Sequence, residues 1–298
     1  LKNKQMINER GQTEAEFLAA YDSSQYRTPS VTIDILLFAI AEGQAHDYRQ
    51  LPDQSLQILL IKRRDHPEIG KWATPGGFVN FDEGLIAAAQ RELAEETGVA
   101  DVYLEQLYTW GKPQRDPRTR IISVAYLGLA QRARMHIRAG DDAADAQWFN
   151  IEFHEVDSVQ TGTTLELHLT NDSHQLHATL SNPQKVQTIV EEGWSIDSES
   201  IAFDHALLIA CGLQRLRNKI EYTDIIFNLM PELFSLTELQ QVYEVVLGRP
   251  LAKANFRRKI ADLVVETGEK QAAVGHRPAK LYRRASARES IKEVANDL

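Results

Sequence analysis

Apolar and polar positions alternate along the chain with two different periods. Residues 31–40 (VTIDILLFAI) are almost continuously β-branched or apolar, the composition of a buried strand, so Asp34 within it must be paired or lie at an edge. A polar stretch separates it from a second strand at Leu56–Ile61. Residues 62–75 read as a basic, proline-containing loop, after which Gly76–Val79 resumes extended character. Strand-like runs recur at Val102–Tyr108, Arg120–Leu129 and Ala146–Ile151, and residues 160–183 alternate around Asn171-Asp-Ser173 as a hairpin does. Helical spacing appears over 12–21, over 84–96 with Gly98 as its stop, and over 201–220, where Asp204 comes early and Lys/Arg late, as the helix dipole favours. The last of these helices is expected to bridge two domains. Strands mixed with one strong helix predict a layered α+β or α/β domain over about residues 28–160.

At 298 residues, 43% hydrophobic and 25% charged, the chain has the balance of a globular protein of two domains. Its longest apolar run, Ile35–Ile40 with Ala41 after it, falls far short of the roughly 20 residues that a membrane-spanning helix needs. The N-terminal stretch has no hydrophobic signal core and begins with Leu rather than Met, which reads as a trimmed start. A single cysteine, Cys211, excludes a disulfide framework and a cysteine-based zinc site, and fits a reducing cytoplasm. Set among apolar residues, it is expected to be buried and inert. The net charge of −9 conceals a split. Residues 249–288 hold eleven Lys/Arg against three acids, a local +8 that leaves −17 for the rest. Such asymmetry suggests a basic module with a polyanionic partner on an acidic body.

The densest chemistry lies between Gly77 and Val99. Leu85, Ala88, Ala89 and Leu93 form one apolar stripe of a helix, while Glu92, Glu95 and Glu96 line another face at i, i+3, i+4. Like charges at that spacing cost about 0.2–0.5 kcal/mol per pair, so something must compensate them. Clustered hard oxygens suit Mg²⁺ or Mn²⁺, bound through a few carboxylates together with substrate phosphates. The stretch resembles the Nudix box, with Gly77, Glu83, Arg91-Glu92-Leu93, Glu95-Glu96, Gly98 and Val99 all at the family's spacing. The resemblance implies a mixed sheet sandwiched by helices, metal held by Glu92, Glu95 and Glu96 with support from Glu83, and Arg91 orienting the glutamates. Glu92, Glu95 and Arg91 are accordingly the candidate catalytic residues. The flanks Gly70–Val79 and Arg115–Tyr126 resemble those of ADP-ribose pyrophosphatases, which makes Arg64, Gly76, Gly77, Phe78, Arg118 and Arg120 candidate ligand contacts. Trp72, on a loop near the box, remains open as a ligand platform, whereas Trp110, Trp148 and Trp194 read as core. No histidine pair has metal-ligand spacing, and His168, His174 and His177 on the hairpin read as surface residues.

A second constellation follows. Ser235-Leu-Thr-Glu238 is a capping box, opening a helix with Leu236, Leu239, Val242, Tyr243 and Val246 on one face. After the turn Gly248-Arg-Pro250, a second helix is expected near Ala252–Val265, with Phe256, Ile260, Leu263 and Val264 inward and Arg258 opposite. Residues 269–284 read as two extended arms around Gly275-His-Arg-Pro278. Helix, turn, basic helix and basic hairpin look like a winged helix-turn-helix that places its second helix in a major groove of double-stranded DNA. Lys253, Asn255, Arg257, Arg258, Lys259, His276, Arg277, Lys280 and Arg283 are its candidate DNA contacts.

Nudix domain plus basic winged helix resembles the Nudix-related transcriptional regulators of NAD metabolism. Phe17–Asp34, Asn255–Lys259 and His276–Arg283 are similar to that family's corresponding segments, and the resemblance spans nearly the whole chain. It implies a Nudix domain over 1–160, a hairpin and linker helix over 161–221 and a winged helix over 222–298. It also implies a homodimeric, cytoplasmic repressor of NAD-biosynthesis or salvage genes, bound to a palindromic operator and sensing ADP-ribose or a related nucleotide. The intact box leaves a magnesium-dependent ADP-ribose pyrophosphatase as the alternative.

Overall fold

The structure, a computed structural model, describes residues 6–43, 52–100, 102–135, 137, 143–156, 162–270 and 279–286. Helix α1 (Glu14–Ala20) is closed at its start by a capping box between Thr13 and Glu16. The strands that follow are β1 (Ser30–Glu42), β2 (Gln54–Arg63), the short β3 (Trp72–Ala73), β4 (Tyr103–Trp110), β5 (Ile121–Gln131), β6 (Ala143–Val156), β7 (Thr163–Thr170), β8 (Gln175–Asn182) and β9 (Ser195–Asp197). Helix α2 (Leu85–Thr97) lies between β3 and β4, and α3 (His205–Lys219) follows β9. The strands form one mixed sheet in the order β4-β5-β1-β2-β6-β7-β8-β9, with β3 paired to β2. Only β1 and β5 run parallel; the other named pairs are antiparallel.

The central strand is apolar on both faces because both are covered. From β1, Ile33, Ile35, Leu37 and Ala39 pack with Ala88, Ala89 and Leu93 of α2. Leu36, Phe38 and Ile40 pack with Leu208, Ile209 and Leu213 in the cluster that contains α3. The sheet is thus sandwiched by helices, as expected, and the class is α+β. The hairpin β7–β8 continues this sheet beyond residue 160, so the expected boundary there is no break in the layer. Trp72 is a correction: paired in β3 and 2% exposed, it meets Phe149 edge-on at 4.8 Å and belongs to the core. Cys211 is buried as expected, and burial pushes its thiol up to about 11.

Beyond α3 come α4 (Leu236–Leu247) and α5 (Lys253–Ile260), then β10 (Val264–Lys270) and β11 (Lys280–Arg284). The capping box at Ser235 and Glu238 forms, and Gly248 ends α4 in the left-handed conformation at φ 68°. The second helix is shorter than its apolar spacing predicted. It ends at Ile260, a single 3-10 turn covers Ala261–Leu263, and the β-branched Val264-Val265 opens a strand. Leu263 and Val264 still pack against the core, but from outside the helix. A bridge between Phe234 and Tyr282 adds a third short segment to the wing. No described helix is long and apolar enough to cross a membrane.

The two halves share one apolar core. Leu36 and Phe38 of the sheet, Leu213 and Leu216 of α3, and Tyr243, Phe256 and Ile260 of the winged helix belong to one hydrophobic cluster. Polar clasps flank it: Arg217 Nε donates to the Val246 carbonyl at 3.0 Å, Gln131 donates to the Met230 carbonyl at 2.6 Å, and Lys219 pairs with Glu105.

Candidate functional site

A cavity of about 500 Å³ opens between the box helix, the start of β1 and the loop before β5. Its acidic wall is α2. Arg91 gathers the carboxylates there: Nε and Nη2 donate to the two oxygens of Glu83 at 3.0 and 2.6 Å, and Nη1 donates to Glu92 at 2.8 Å and Glu95 at 2.9 Å. Nη2 also donates to the Phe78 carbonyl at 3.0 Å, tying the helix to the glycine segment. The hydrogen bonds from Arg91 and from the Asn80 backbone hold the Glu83 carboxyl down at about 2. Burial raises the Glu92 pKa, with Glu95 and Glu83 acting in the same direction against Arg91. One guanidinium thus faces three carboxylates, and the Glu96 carboxylate lines the same cavity. Clustered hard oxygen donors of this kind fit a divalent cation.

Close approach to backbone requires Gly76, and Gly77 leaves the Glu92 carboxylate in place. A Cβ on Gly76 would sit 2.0 Å from the Ile33 carbonyl oxygen, and one on Gly77 would sit 2.4 Å from Glu92 Oε1. The Gly76 N–H instead donates to Glu96 Oε2 at 2.6 Å. The glycine pair therefore lets the backbone pass between β1 and the carboxylates and hold one of them.

The basic wall comprises Arg63, Arg64, Arg115 and Arg118. Asp116 grips Arg118 through two hydrogen bonds of 3.0 and 2.8 Å, and the guanidinium lies 5.6 Å from the Phe78 ring centre. The floor is a buried network that sequence reasoning did not assemble. Arg115 makes a two-pronged contact to Asp204 at 2.9 and 2.7 Å and reaches Asp34 at 3.5 Å. Ser123 and Thr74 donate to Asp34, so the buried strand aspartate is fully partnered. The Thr74 N–H donates to His205 Nδ1 at 3.0 Å, which assigns the ring proton to Nε2, 3.6 Å from Asp34 Oδ1. Burial lowers the His205 pKa more than Asp34 and Asp204 raise it. Burial likewise disfavours the Asp34 carboxylate, but His205, Arg115 and the two hydroxyls together keep its pKa below the ordinary value.

Of the residues singled out from sequence, Arg64, Gly76, Gly77, Phe78, Arg91, Glu92, Glu95, Glu96 and Arg118 line the cavity. Glu83 stands behind Arg91. Arg120 does not reach the cavity; its Nη1 donates to the Lys112 and Ile121 carbonyls. Arg63, Thr74, Arg115, Asp116, Phe203 and His205 line it without having been selected. Asp34 and Asp204 did carry a signal, an ionised residue in an apolar strand and an acid at a helix start. Asp204 precedes α3 without capping it and holds Arg115 instead.

On the winged helix, Lys253, Asn255, Arg257 and Arg258 lie on the exposed side of α5, and Arg258 donates to Asn255 at 3.0 Å. Lys259 is exposed as well but is engaged: it pairs with Glu221 at 2.6 Å, with its Nζ 5.3 Å from the Tyr243 ring centre. Lys280 pairs with Glu266, and Arg283 lies on β11. His276 and Arg277 fall outside the described residues.

A sandwiched mixed sheet with this box helix, continuous with a basic winged helix, defines a Nudix-domain protein carrying a DNA-binding module. The chain matches the family models of the NUDIX domain over residues 51–161 and of the NrtR DNA-binding winged helix domain over residues 226–284. It is 35% identical over 274 residues to the "ADPR responsive transcriptional repressor NtrR" of Acinetobacter baylyi, covering 91% of this chain and 88% of that one. It is similar to the crystal structure of Shewanella oneidensis NrtR complexed with a 27mer DNA, at 30% identity over 86% of this chain and 93% of that one, with a TM-score of 0.57. It also resembles a MutT/nudix family protein from Enterococcus faecalis, at 28% identity, 93% and 95% coverage and a TM-score of 0.69. The chain belongs to the NrtR family of Nudix-domain transcriptional regulators.

Proposed function

We propose that the protein is a transcriptional repressor that reads ADP-ribose in its Nudix cavity and operator DNA with its winged helix. The observation that carries this reading is the continuity between the two: α3 starts at the cavity floor with Asp204 and His205 and ends against α4 through Arg217. The name of the Acinetobacter relative, "ADPR responsive", supports the choice of effector. The cavity volume lies within the range of about 300–1,000 Å³ usual for small-molecule sites. Its two walls suit a diphosphate, which takes guanidinium groups on one side and a carboxylate-held cation on the other.

In this reading Glu92, Glu95 and Glu96 hold Mg²⁺ or Mn²⁺, with Arg91 and Glu83 fixing their geometry. Such a cation would neutralise phosphate charge and, in a hydrolase, lower the pKa of a water. Arg63, Arg64 and Arg118 meet phosphates or ribose, and Phe78 offers a half-exposed ring beside Arg118. On DNA, Lys253, Arg257, Lys280 and Arg283 meet phosphates while Asn255 and Arg258 face base edges; Lys259 supports the helix from behind. Two copies bind a palindromic operator of NAD-biosynthesis or salvage genes in the cytoplasm; the winged-helix domain begins near 222, and the Nudix layer of 1–160 runs on through the hairpin into the linker helix of 161–221. The effector acts only if it binds the two arrangements of the winged helices with different affinity.

The intact carboxylate set favours a second reading, an ADP-ribose pyrophosphatase releasing AMP. Calorimetric titration of the full chain with ADP-ribose and magnesium, run beside an AMP-release assay, tests both. Saturable binding without AMP supports a pure sensor, and binding with AMP release adds turnover. An absence of binding at millimolar ADP-ribose overturns both readings.

A further inference from the structure

The outer face of the β6–β8 extension carries a side-chain cluster that neither the cavity nor the winged helix uses. Strand register assembles it. His168 stands directly opposite His177 across β7 and β8, and Glu166 stands opposite Thr179 on β8 and His154 on β6. All five project from the face opposite Leu165, Leu167 and Leu169, which are buried. His177 Nε2 lies 2.5 Å from Glu166 Oε2, and the rings of His168 and His177 are 4.6 Å apart. The ring of His154 stacks on that of His168 at 6.1 Å with an interplanar angle of 12°. One ligand atom each from Glu166, His168 and His177 falls within a mutual distance of 4.8 Å.

We propose that Glu166, His168 and His177 form a binding site for a divalent transition-metal ion of the zinc class, with His154 beside it as a further imidazole. Two imidazoles and one carboxylate are a donor set that zinc takes in three-ligand sites, leaving a position for water. Ligands at about 2.0–2.1 Å around a tetrahedral ion lie roughly 3.3 Å apart, so the cluster must contract by up to about 1.5 Å. Side-chain rotation supplies this, because the His177 side chain is 52% exposed while the strands beneath it are fixed by pairing. The carboxylate is already oriented: Thr179 Oγ1 lies 3.1 and 3.2 Å from its two oxygens and donates to it. Ligating carboxylates characteristically carry such an outer hydrogen bond. The site is chemically distinct from the box, whose all-oxygen donors suit harder cations.

Zinc titration of the full-length protein against a chromophoric chelator, in excess magnesium to occupy the box, tests the proposal. The wild type should take up one zinc ion that survives Glu92→Gln/Glu96→Gln. His168→Ala/His177→Ala should weaken it by at least about 100-fold, and Thr179→Val, which loses only the outer hydrogen bond, by about 10-fold. Melting without metal should be alike in wild type and the double histidine variant, and only the wild type should melt higher with zinc. Equal zinc uptake by wild type and the double histidine variant, or uptake that vanishes with the box glutamates, would overturn the proposal.

Discussion

Replacing Asp204 with Ala should cut the polar link between the cavity floor and α3. The Arg115 side chain is only 6% exposed, and Asp204 supplies its two short contacts, at 2.9 and 2.7 Å. Removing one partner of a buried pair costs about 3–5 kcal/mol, because the remaining charge is left buried without compensation. Asp34 stays within 3.5 Å of the same guanidinium, which places the expected loss at the lower end, about 3 kcal/mol. With an unfolding entropy of about 2.1 cal/mol/K per residue, a chain of 298 residues shifts by roughly 1.6 °C per kcal/mol, so melting should fall by about 5 °C. Thermal melting and denaturant titration measure the stability. Anisotropy of labelled operator DNA, with and without ADP-ribose and at a temperature where the variant is folded, measures the coupling. Operator binding should persist in the variant while its response to ADP-ribose shrinks. A loss below about 1 kcal/mol with the full effector response retained would refute the role given to this pair.

Three further outcomes are expected. His205 is buried and neutral with its pKa lowered, so the unfolded chain takes up a proton that the folded chain does not as pH falls through about 6.5. The wild type should therefore lose up to about 1.4 kcal/mol per pH unit below that point, and His205→Asn should flatten this part of the stability profile; identical profiles would contradict it. Gly77→Ala brings a Cβ within 2.4 Å of Glu92 Oε1 and makes that carboxylate swing aside, so magnesium-dependent ADP-ribose binding should weaken by about 10- to 100-fold, as misoriented metal ligands do, with folding retained by circular dichroism. Arg257→Ala and Arg258→Ala should each weaken operator binding by about 1–3 kcal/mol, with a salt slope lower by about one wherever the lost contact is to phosphate. Lys259→Ala, already engaged with Glu221, should leave that slope nearly unchanged.

What the sequence disclosed and what it hid divide along a physical line. The box helix, its glycine stop, the capping box of α4 and the long strands β1, β2 and β4–β8 rest on local spacing and formed where the pattern placed them, whereas the short β3 arose within the stretch read as a loop, β9 carried no signal, and Gly76–Val79 formed no strand of its own. The cavity floor rests on four segments far apart in the chain: Asp34 on β1, Thr74 after β3, Arg115 before β5, and Asp204 with His205 at α3. No local period relates them. The strand aspartate did announce that a partner must exist, and Arg115 and His205 proved to be those partners. The histidine cluster was invisible for the same reason, since His168 and His177 meet through hairpin register rather than through spacing along one element. At α5 the apolar period ran on past Ile260, but the β-branched pair Val264-Val265 turned the chain into the wing, so the helix ended early. Lys259 looked like one more basic residue of that helix, and only the approach of Glu221 and Tyr243 engaged it.

The central claim is that occupancy of the Nudix cavity changes how the winged helix holds DNA. Its most direct test is the dissociation constant of the full-length protein for a palindromic operator fragment, measured by fluorescence anisotropy with and without saturating ADP-ribose at fixed salt and magnesium. Coupling of about 1–3 kcal/mol predicts a change of roughly 5- to 150-fold. An operator affinity unchanged by an effector that calorimetry finds bound would contradict the account.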